Sequence, residues 1–384
     1  MPGASPDPPP LAGGGGPDLR VLVVDDSVAV RRALSDAIER EPGLTVCGAA
    51  PNGLLGLELV VRTRPQAVVL DLEMPVMDGL EFLTRLRATH PRLPVVVFSG
   101  LVGHANEATL EALWRGASDY VLKPQGLSAP ETVAYLGREL FPRLRALAGR
   151  PPREPRPRTP LAPSVLPTER AGPMPPAVPL PATGPDPVPS VVVVGASTGG
   201  PRALAAVLGA LPADFPVPVA VVQHLPAEMS EFFATGLAHA CELPVRLAAD
   251  LERMTPGVVW VAPGGAHLVL EHDGERARFR LDQGPEVNGC RPAVDPFFRS
   301  AARVFGSGVL AVVLTGMGQD GLAGARAVRE AQGRVLVQDE ASSVVWGMPG
   351  VIARAGLASA VVPLEALGDE IRARAGRMPR RKAA

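Results

Sequence analysis

Cysteine is scarce in this 384-residue chain: there are three, at Cys47, Cys241 and Cys290. They are scattered and odd in number, so they build neither a disulfide framework nor a metal-ligand cluster. Charge of one sign is missing too. The formal net charge is −1, which removes the electrostatic reason to expect nucleic acid as a partner. No apolar run is long enough to cross a bilayer, so no membrane insertion is expected. The opening Met-Pro-Gly-Ala-Ser-Pro has neither the basic start nor the apolar centre of a secretion signal. These absences lead to the expectation of a cytoplasmic protein.

What is present suits a well-packed chain of two domains, with 46% hydrophobic and 20% charged residues. Residues 1–18 are rich in Pro and Gly and are expected to be disordered. Over residues 19–140, apolar strand-like runs at 20–24, 44–47, 67–70, 94–98 and 119–122 alternate with helix-like segments. Alternation of this kind predicts βαβ units and a parallel sheet. Residues 141–189 carry proline at a density that no helix or strand interior tolerates, and are expected to form an extended linker. A second α/β pattern fills residues 190–376, with strands expected at 191–194, 217–222, 309–314, 334–337 and 359–362. Within it, residues 257–281 read as a β-hairpin insertion, with turns at Pro263-Gly264-Gly265 and His272-Asp273-Gly274. The basic tail at 377–384, with Arg380, Arg381 and Lys382, reads as a solvated end. The fold class expected is α/β, with two doubly wound parallel-sheet domains.

In the first domain the polar residues gather at strand ends. One strand ends in Asp25-Asp26, another in Asp71, a third in Ser99 and a fourth in Lys123. In an open parallel sheet the carboxyl ends of the strands form the ligand edge, so these groups converge. Clustered carboxylates suit a hard divalent cation, most naturally Mg²⁺. One carboxylate can act as nucleophile toward a phosphoryl group. A hydroxyl and an ammonium can then bind the phosphoryl oxygens. Each residue alone has a plain structural use, as a helix N-cap or a surface charge; together at the strand ends they do not.

These residues resemble the response-regulator receiver family, a flavodoxin-like fold, through "VLVVDDS", "VVLDLEMPVMDG", "VVFSG" and "GASDYVLKP". The resemblance implies that Asp71 accepts a phosphoryl group from a histidine kinase. It implies that Asp25, Asp26 and Asp71 hold Mg²⁺, that Ser99 and Tyr120 are switch residues, and that Lys123 contacts the phosphoryl group.

In the second domain, Val191–Val194 runs into Gly195-Ala-Ser197-Thr-Gly-Gly200, and a helix is expected from near Pro201. A serine between small residues, after a strand and before a helix, is the pattern of a nucleophile elbow. The helix N-terminus offers free N–H groups for an oxyanion. The string also resembles a dinucleotide-binding turn of short-chain dehydrogenases. Those enzymes need a Tyr and, four residues later, a Lys. The only tyrosines are Tyr120 and Tyr135, and the second half holds a single lysine, Lys382. That chemistry is excluded. A structural glycine turn with an idle serine remains the plain alternative.

A base and a carboxylate decide between them. His224 follows the apolar strand "VPVAVVQ" at the edge that carries Ser197, which favours it as general base. His267, opening a hairpin strand, is the reserve; His239 and His272 lie elsewhere. Asp320 follows strand Val309–Leu314 in a Gly-rich loop and can orient the histidine, although an acidic helix cap is the commoner reading of such a position. The order Ser, His, Asp differs from that of the α/β-hydrolases.

These residues resemble the catalytic domain of chemotaxis protein-glutamate methylesterases, through "VGASTGGP", "VVQHLP", "VAPGGAHL", "RPAVDPFF", "VLTGMGQDG" and "DEASSVVWGMP". The resemblance implies a Rossmann-like serine hydrolase with Ser197 as nucleophile, His224 as base and Asp320 as its orienter. Thr198 and Met317 would lie at the site, with backbone N–H groups there as oxyanion donors, and no cofactor would be required. The substrates implied are glutamyl γ-methyl esters, and glutamine amides, on cytoplasmic helices of methyl-accepting chemoreceptors, with recruitment to receptor arrays. In "NGCRPAVD", Cys290 and Ala293 stand where the family often has His and Ser. A second function class is a phosphorylation-controlled interaction module whose hydrolase domain only docks; an ester-release assay separates the two.

Overall fold

A computed structural model describes residues 18–100, 104–148, 188–274 and 276–376. The N-terminal segment 1–17, most of the proline-rich segment and the tail 377–384 lie outside the described residues, and with them the expectations of disorder, linker and solvated end.

The first unit runs β1 (Leu19–Val24), α1 (Val28–Arg40), β2 (Leu44–Ala50), α2 (Gly53–Thr63), β3 (Ala67–Leu70), α3 (Gly79–Thr89), β4 (Val95–Ser99), α4 (His104–Trp114), β5 (Asp119–Leu122), α5 (Ala129–Glu139) and α6 (Phe141–Ala148). Its sheet is parallel throughout, in the order β2-β1-β3-β4-β5. Strand β3 and the stretches Val21–Val24 of β1 and Val95–Phe98 of β4 are continuous apolar runs because helices cover both faces. The order of the strands reverses between β1 and β3, so the open edge at their carboxyl ends is the ligand crevice.

Helix α6 occupies residues that were expected to begin the linker. Phe141, Leu144, Leu147 and Ala148 are buried against β1 and β3, which is why the chain stays helical past Leu140. Pro142 lies in its first turn, where a missing N–H costs nothing.

The second unit runs β6 (Val191–Ala196), α7 (Gly200–Leu208), β7 (Val219–Gln223), α8 (Ser230–Ala240), β8 (Val245–Leu247), β9 (Val259–Val261), β10 (His267–Asp273), β11 (Arg276–Asp282), α9 (Val294–Phe305), β12 (Val309–Val313), α10 (Leu322–Glu330), β13 (Arg334–Gln338), α11 (Met348–Arg354), β14 (Ala360–Val362) and α12 (Leu364–Ala375). Seven strands form a parallel sheet in the order β14-β13-β12-β6-β7-β9-β8. The order reverses at β6 and β12, which places the crevice beside the end of β6.

The hairpin is present as β10 and β11, but it is shorter than the expected 257–281. Val259–Val261 belongs to the main sheet, parallel to β7 and β8. The Pro263-Gly264-Gly265 turn therefore links sheet to hairpin, and His272 sits in β10 rather than in the turn. Strand β8 has only three residues, too few to show a period in the sequence.

The two units pack on each other. Trp114 of α4 stacks on Phe233 of α8, ring centroids 5.8 Å apart and planes 12° from parallel. Edge strand β5 and helix α6 face the crevice of the second sheet, where Val345 joins the apolar cluster of α6.

Candidate active site

Ser197 stands in the turn between β6 and α7, and its backbone is held on several sides. Its N–H donates to the Thr315 carbonyl at 3.1 Å. Its carbonyl accepts from Gly200 N–H at 2.7 Å and from Gln223 Nε2 at 3.0 Å. Gly199 takes φ +76°, a conformation that costs a side-chain-bearing residue strain, and a Cβ there would meet Val344 at 2.7 Å. The serine hydroxyl is thereby left at the mouth of the crevice, partly exposed.

His224 follows β7. Its Nδ1 lies 3.1 Å from Ser197 Oγ, and its Nε2 lies 2.8 Å from Asp320 Oδ2. An ionised carboxylate can only accept, so Nε2 carries a proton, and in the neutral ring Nδ1 is the base. The two ring nitrogens are exchanged relative to the familiar arrangement in which Nε2 faces the serine.

Asp320 is buried and saturated with donors. Oδ2 also accepts from Val294 N–H at 2.6 Å; Oδ1 accepts from Asp295 N–H at 3.0 Å, Gly321 N–H at 3.0 Å and Asn288 Nδ2 at 3.1 Å. Two of these N–H groups open α9, so the carboxylate sits on a helix N-terminus. Burial pushes against its ionisation, but the bonds from His224, Val294 and Asp295 outweigh it and hold the carboxyl below its ordinary value. Burial likewise opposes a charge on His224, but the bonds to Asp320 and then to Cys290 push the imidazole up to about 9.

His267, the reserve base, is buried and engaged at both nitrogens. Nε2 lies 3.0 Å from the Pro285 carbonyl, and Nδ1 accepts from Ala293 N–H at 3.1 Å. It braces the loop before α9 and does not face Ser197. Asn288 and the α9 amides were not singled out as site groups from the sequence, and Cys290 was noted only as standing where the family often has His; the loop between β11 and α9 brings them in.

Thr198 follows Ser197 directly, and Met317 follows a glycine that lies close to it. A Cβ on Gly316, the residue before Met317, would lie 2.9 Å from Ser197 Cβ. Ser197 N–H is committed to the Thr315 carbonyl and so is not a free donor at the site. Thr198 also reaches the first unit: its Oγ1 donates to Asp119 Oδ2 at 2.6 Å. Asp119 in turn pairs with Arg143 of α6 at 3.3 Å. Tyr120, next along β5, is kept neutral by burial and then by the Asp119 charge, both of which raise its phenol.

The second cluster is in the first unit. Asp25, Asp26 and Asp71 place carboxylate oxygens within 4.8 Å of one another. Lys123 Nζ lies 2.9 Å from Asp25 Oδ2 and 2.8 Å from Asp71 Oδ2. An all-oxygen donor set with more negative charge than Lys123 neutralises fits a hard divalent cation. Burial raises the Asp71 carboxyl, partly offset by Lys123. Burial pulls Lys123 down, but Asp71 and Asp25 raise it further. Ser99 is buried at the end of β4, with its hydroxyl 3.4 Å from the Gly100 carbonyl.

A family model described as CheB methylesterase matches residues 192–371, and one described as response regulator receiver domain matches residues 21–132. A protein-glutamate methylesterase/protein-glutamine glutaminase of Trichodesmium erythraeum is 41% identical over 94% of this chain and 100% of its own length. One of Nocardioides sp. is 45% identical over 94% of this chain and 96% of its own. Among solved structures, the catalytic domain of the Thermotoga maritima CheB methylesterase is 40% identical, covers 48% of this chain and 97% of its own, and has a TM-score of 0.47.

Proposed function

The chain belongs to the family of protein-glutamate methylesterase/protein-glutamine glutaminases, and from that premise we propose how its own residues carry the reaction. The protein is a phosphorylation-regulated methylesterase of chemotaxis that hydrolyses glutamyl γ-methyl esters and deamidates glutamines. The single observation that carries the residue assignment is the unbroken chain Ser197 Oγ, His224 Nδ1, His224 Nε2, Asp320 Oδ2, at 3.1 and 2.8 Å.

In the proposed cycle, Nδ1 of His224 takes the Ser197 proton as Oγ attacks the ester carbonyl carbon. Asp320 stabilises the imidazolium that forms. Backbone N–H groups in the turns at Thr198 and Met317 hold the oxyanion. The tetrahedral adduct collapses, the C–O bond to the methoxy group breaks, and the Nδ1 proton leaves with it as methanol. Water then loses a proton to Nδ1 and attacks the acyl-serine; Ser197 departs as the alcohol and a glutamate carboxyl is left. With glutamine the leaving group is ammonia and the remaining steps are the same. No step of this cycle calls on a cofactor.

The receiver unit, residues 19–148 as the helices are drawn, takes the phosphoryl group on Asp71 from a histidine kinase. Asp25, Asp26 and Asp71 would hold Mg²⁺, which supplies charge neutralisation to the incoming phosphoryl oxygens. On Asp71 a phosphoryl group carries nearly two negative charges where the carboxylate carried one. Lys123 and Ser99 are placed to turn toward it, and Lys123 continues the same strand that presents Asp119 and Tyr120 to the esterase crevice. The contact of Asp119 with Thr198, one residue from the nucleophile, supports a resting state in which the receiver covers the site. The substrates lie on cytoplasmic helices of methyl-accepting chemoreceptors, with the enzyme drawn to receptor arrays.

The test is methanol release from membranes bearing methylated receptors, with and without a small-molecule phosphodonor. Release that requires Ser197 and rises with the phosphodonor is expected. A full chain that binds receptor but releases no methanol in either condition would overturn this reading in favour of a docking module.

A further inference from the structure

Cys290 has no part in that cycle, yet its Sγ lies 3.3 Å from Nδ1 of His224. Ser197 Oγ lies 3.1 Å from the same nitrogen. Nε2 is committed to Asp320. Neutral imidazole therefore has one lone pair, at Nδ1, for two hydrogen donors. Imidazolium has one Nδ1–H for two acceptors. In either state Oγ and Sγ compete.

The thiol is not there by loose chance of a surface loop. Val287 and Cys290 close a tight turn by exchanging backbone bonds of 3.1 and 3.0 Å. Asn288 in that turn donates to Asp320 Oδ1 at 3.1 Å and to Asp295 Oδ2 at 3.2 Å. One turn thus braces the carboxylate on one side of the imidazole and sets a thiol on the other.

Resting on the serine-hydrolase reading above, we propose that Cys290 is a positioning residue for this reaction. Its thiol competes with Ser197 for Nδ1 of His224 and, by passing its proton to that nitrogen, sets the pH above which the base is free. The exchange is a proton transfer alone: the S–H bond breaks, Nδ1–H forms, and a thiolate faces an imidazolium. While that pair lasts, His224 has no lone pair with which to deprotonate Ser197.

The raised imidazole fits this picture, since after burial and the Asp320 bond the next causes are the bond and charge of Cys290. The other titratable groups around the pair are Asp320 with Asp295 behind it, and, from the receiver side, Tyr120 with the Asp119–Arg143 pair. The acidic groups among them favour the imidazolium, whereas Cys290 contests Nδ1 itself with Ser197.

The experiment is a pH profile of kcat/KM for methanol release by the full chain, phosphodonor present. Cys290→Ala is expected to move the acid limb to lower pH and to raise kcat/KM at neutral pH by about threefold or more, since on that limb each pH unit of displacement is tenfold in free base. Cys290→Ser restores a hydroxyl that can bond Nδ1 but does not ionise in this range, so its limb should fall with that of Cys290→Ala. Limbs that coincide with the parent for both variants overturn the proposal. So does a loss at every pH in Cys290→Ala that Cys290→Ser repairs, the mark of a packing role. Ser197→Ala is measured alongside. If it stays active, the serine-hydrolase reading itself fails; if it is inert while the Cys290 limbs do not move, only the role of Cys290 fails.

Discussion

The molecule carries two polar sites at the carboxyl ends of two parallel sheets, and they are built on opposite electrostatic plans. In the receiver, Asp25 and Asp71 converge on one ammonium, Lys123, with exposed Asp26 beside them. Negative charge is in excess, and the cluster is suited to change state when a cation or a phosphoryl group arrives. In the esterase, Asp320 is the carboxylate on His224, and its oxygens are already filled by backbone and side-chain donors. That site is prepared to leave its charges in place while substrate passes through. In the proposed reading the same edge of the same type of sheet is thus a switch where charge is under-compensated and a catalyst where it is fixed in advance.

The sharpest break in that comparison is Ser197→Ala. Methanol release should fall by about 10⁴-fold or more, because a triad nucleophile and its base act as a unit. His224→Ala should cost nearly as much, and the double variant little more than either. Phosphorylation of Asp71, read with a radiolabelled small phosphodonor, should persist in all of them. Asp71→Asn is the mirror image: the phosphodonor should no longer raise esterase turnover, while the unstimulated rate survives. Label incorporation lost in Ser197→Ala, or stimulation kept in Asp71→Asn, would mean that the two sites are not separate in this way. His267→Ala should act differently from His224→Ala. Its ring ties Pro285 to Ala293, so the loss should appear as a lower melting temperature and a partial fall in activity. A silent His267→Ala enzyme beside an active His224→Ala enzyme would reverse the two roles.

Acidity separates the sites further. His224 is held up to about 9, against an ordinary value of 6.5. It must be neutral to accept the serine proton, so kcat/KM should climb through neutral pH and level off near that value. Stability runs the other way. A raised imidazole stabilises the fold fully below its ordinary value, and that contribution is lost as pH rises through about 9. Asp320, held below its ordinary value of 3.8, stabilises above that value and loses its contribution as pH falls through the folded one. Thermal melts paired with the rate profile check both signs. A melting temperature that rises with activity up to about pH 9 would contradict the His224–Asp320 pairing.

Much of this was legible in the sequence, for a physical reason. Parallel strands buried on both faces must be apolar throughout, so the first polar residue after each run, as at Asp25, Asp71 and Ser197, marks the sheet edge, and His224 follows Gln223 at the same edge. What stayed hidden depends on contacts between segments far apart in the chain. Nothing local tells that the Val294 and Asp295 amides cap Asp320, or that a turn at Val287–Cys290 reaches His224. Strand β9 was absorbed into the hairpin because three apolar residues have no period of their own. Helix α6 was assigned to the linker because Pro142 resembles the prolines that follow it, although Phe141, Leu144 and Leu147 already carry helical spacing. Asp119 read as a plain strand residue; its partner Thr198 lies 79 positions away.

The smallest effect expected concerns that last residue. Asp119 touches the esterase through Thr198 and is held in place by Arg143, while elsewhere in the interface Trp114 stacks on Phe233. A hydrogen bond to a charged group contributes about 1.5–3 kcal/mol at most, and a Thr hydroxyl released from the contact regains water. The net loss on Asp119→Ala should therefore be about 1 kcal/mol, or about fivefold in the docking equilibrium. Because the receiver is tethered, its effective concentration keeps most molecules docked even so. Basal methanol release should rise a few-fold, less than on deleting residues 1–189, and the phosphodonor should still raise it further because Asp71 and Lys123 are intact. A basal rate equal to that of the deletion would make Asp119 the main clasp and the Trp114–Phe233 contact incidental. No rise in either variant would mean that the receiver does not restrain the esterase by covering it.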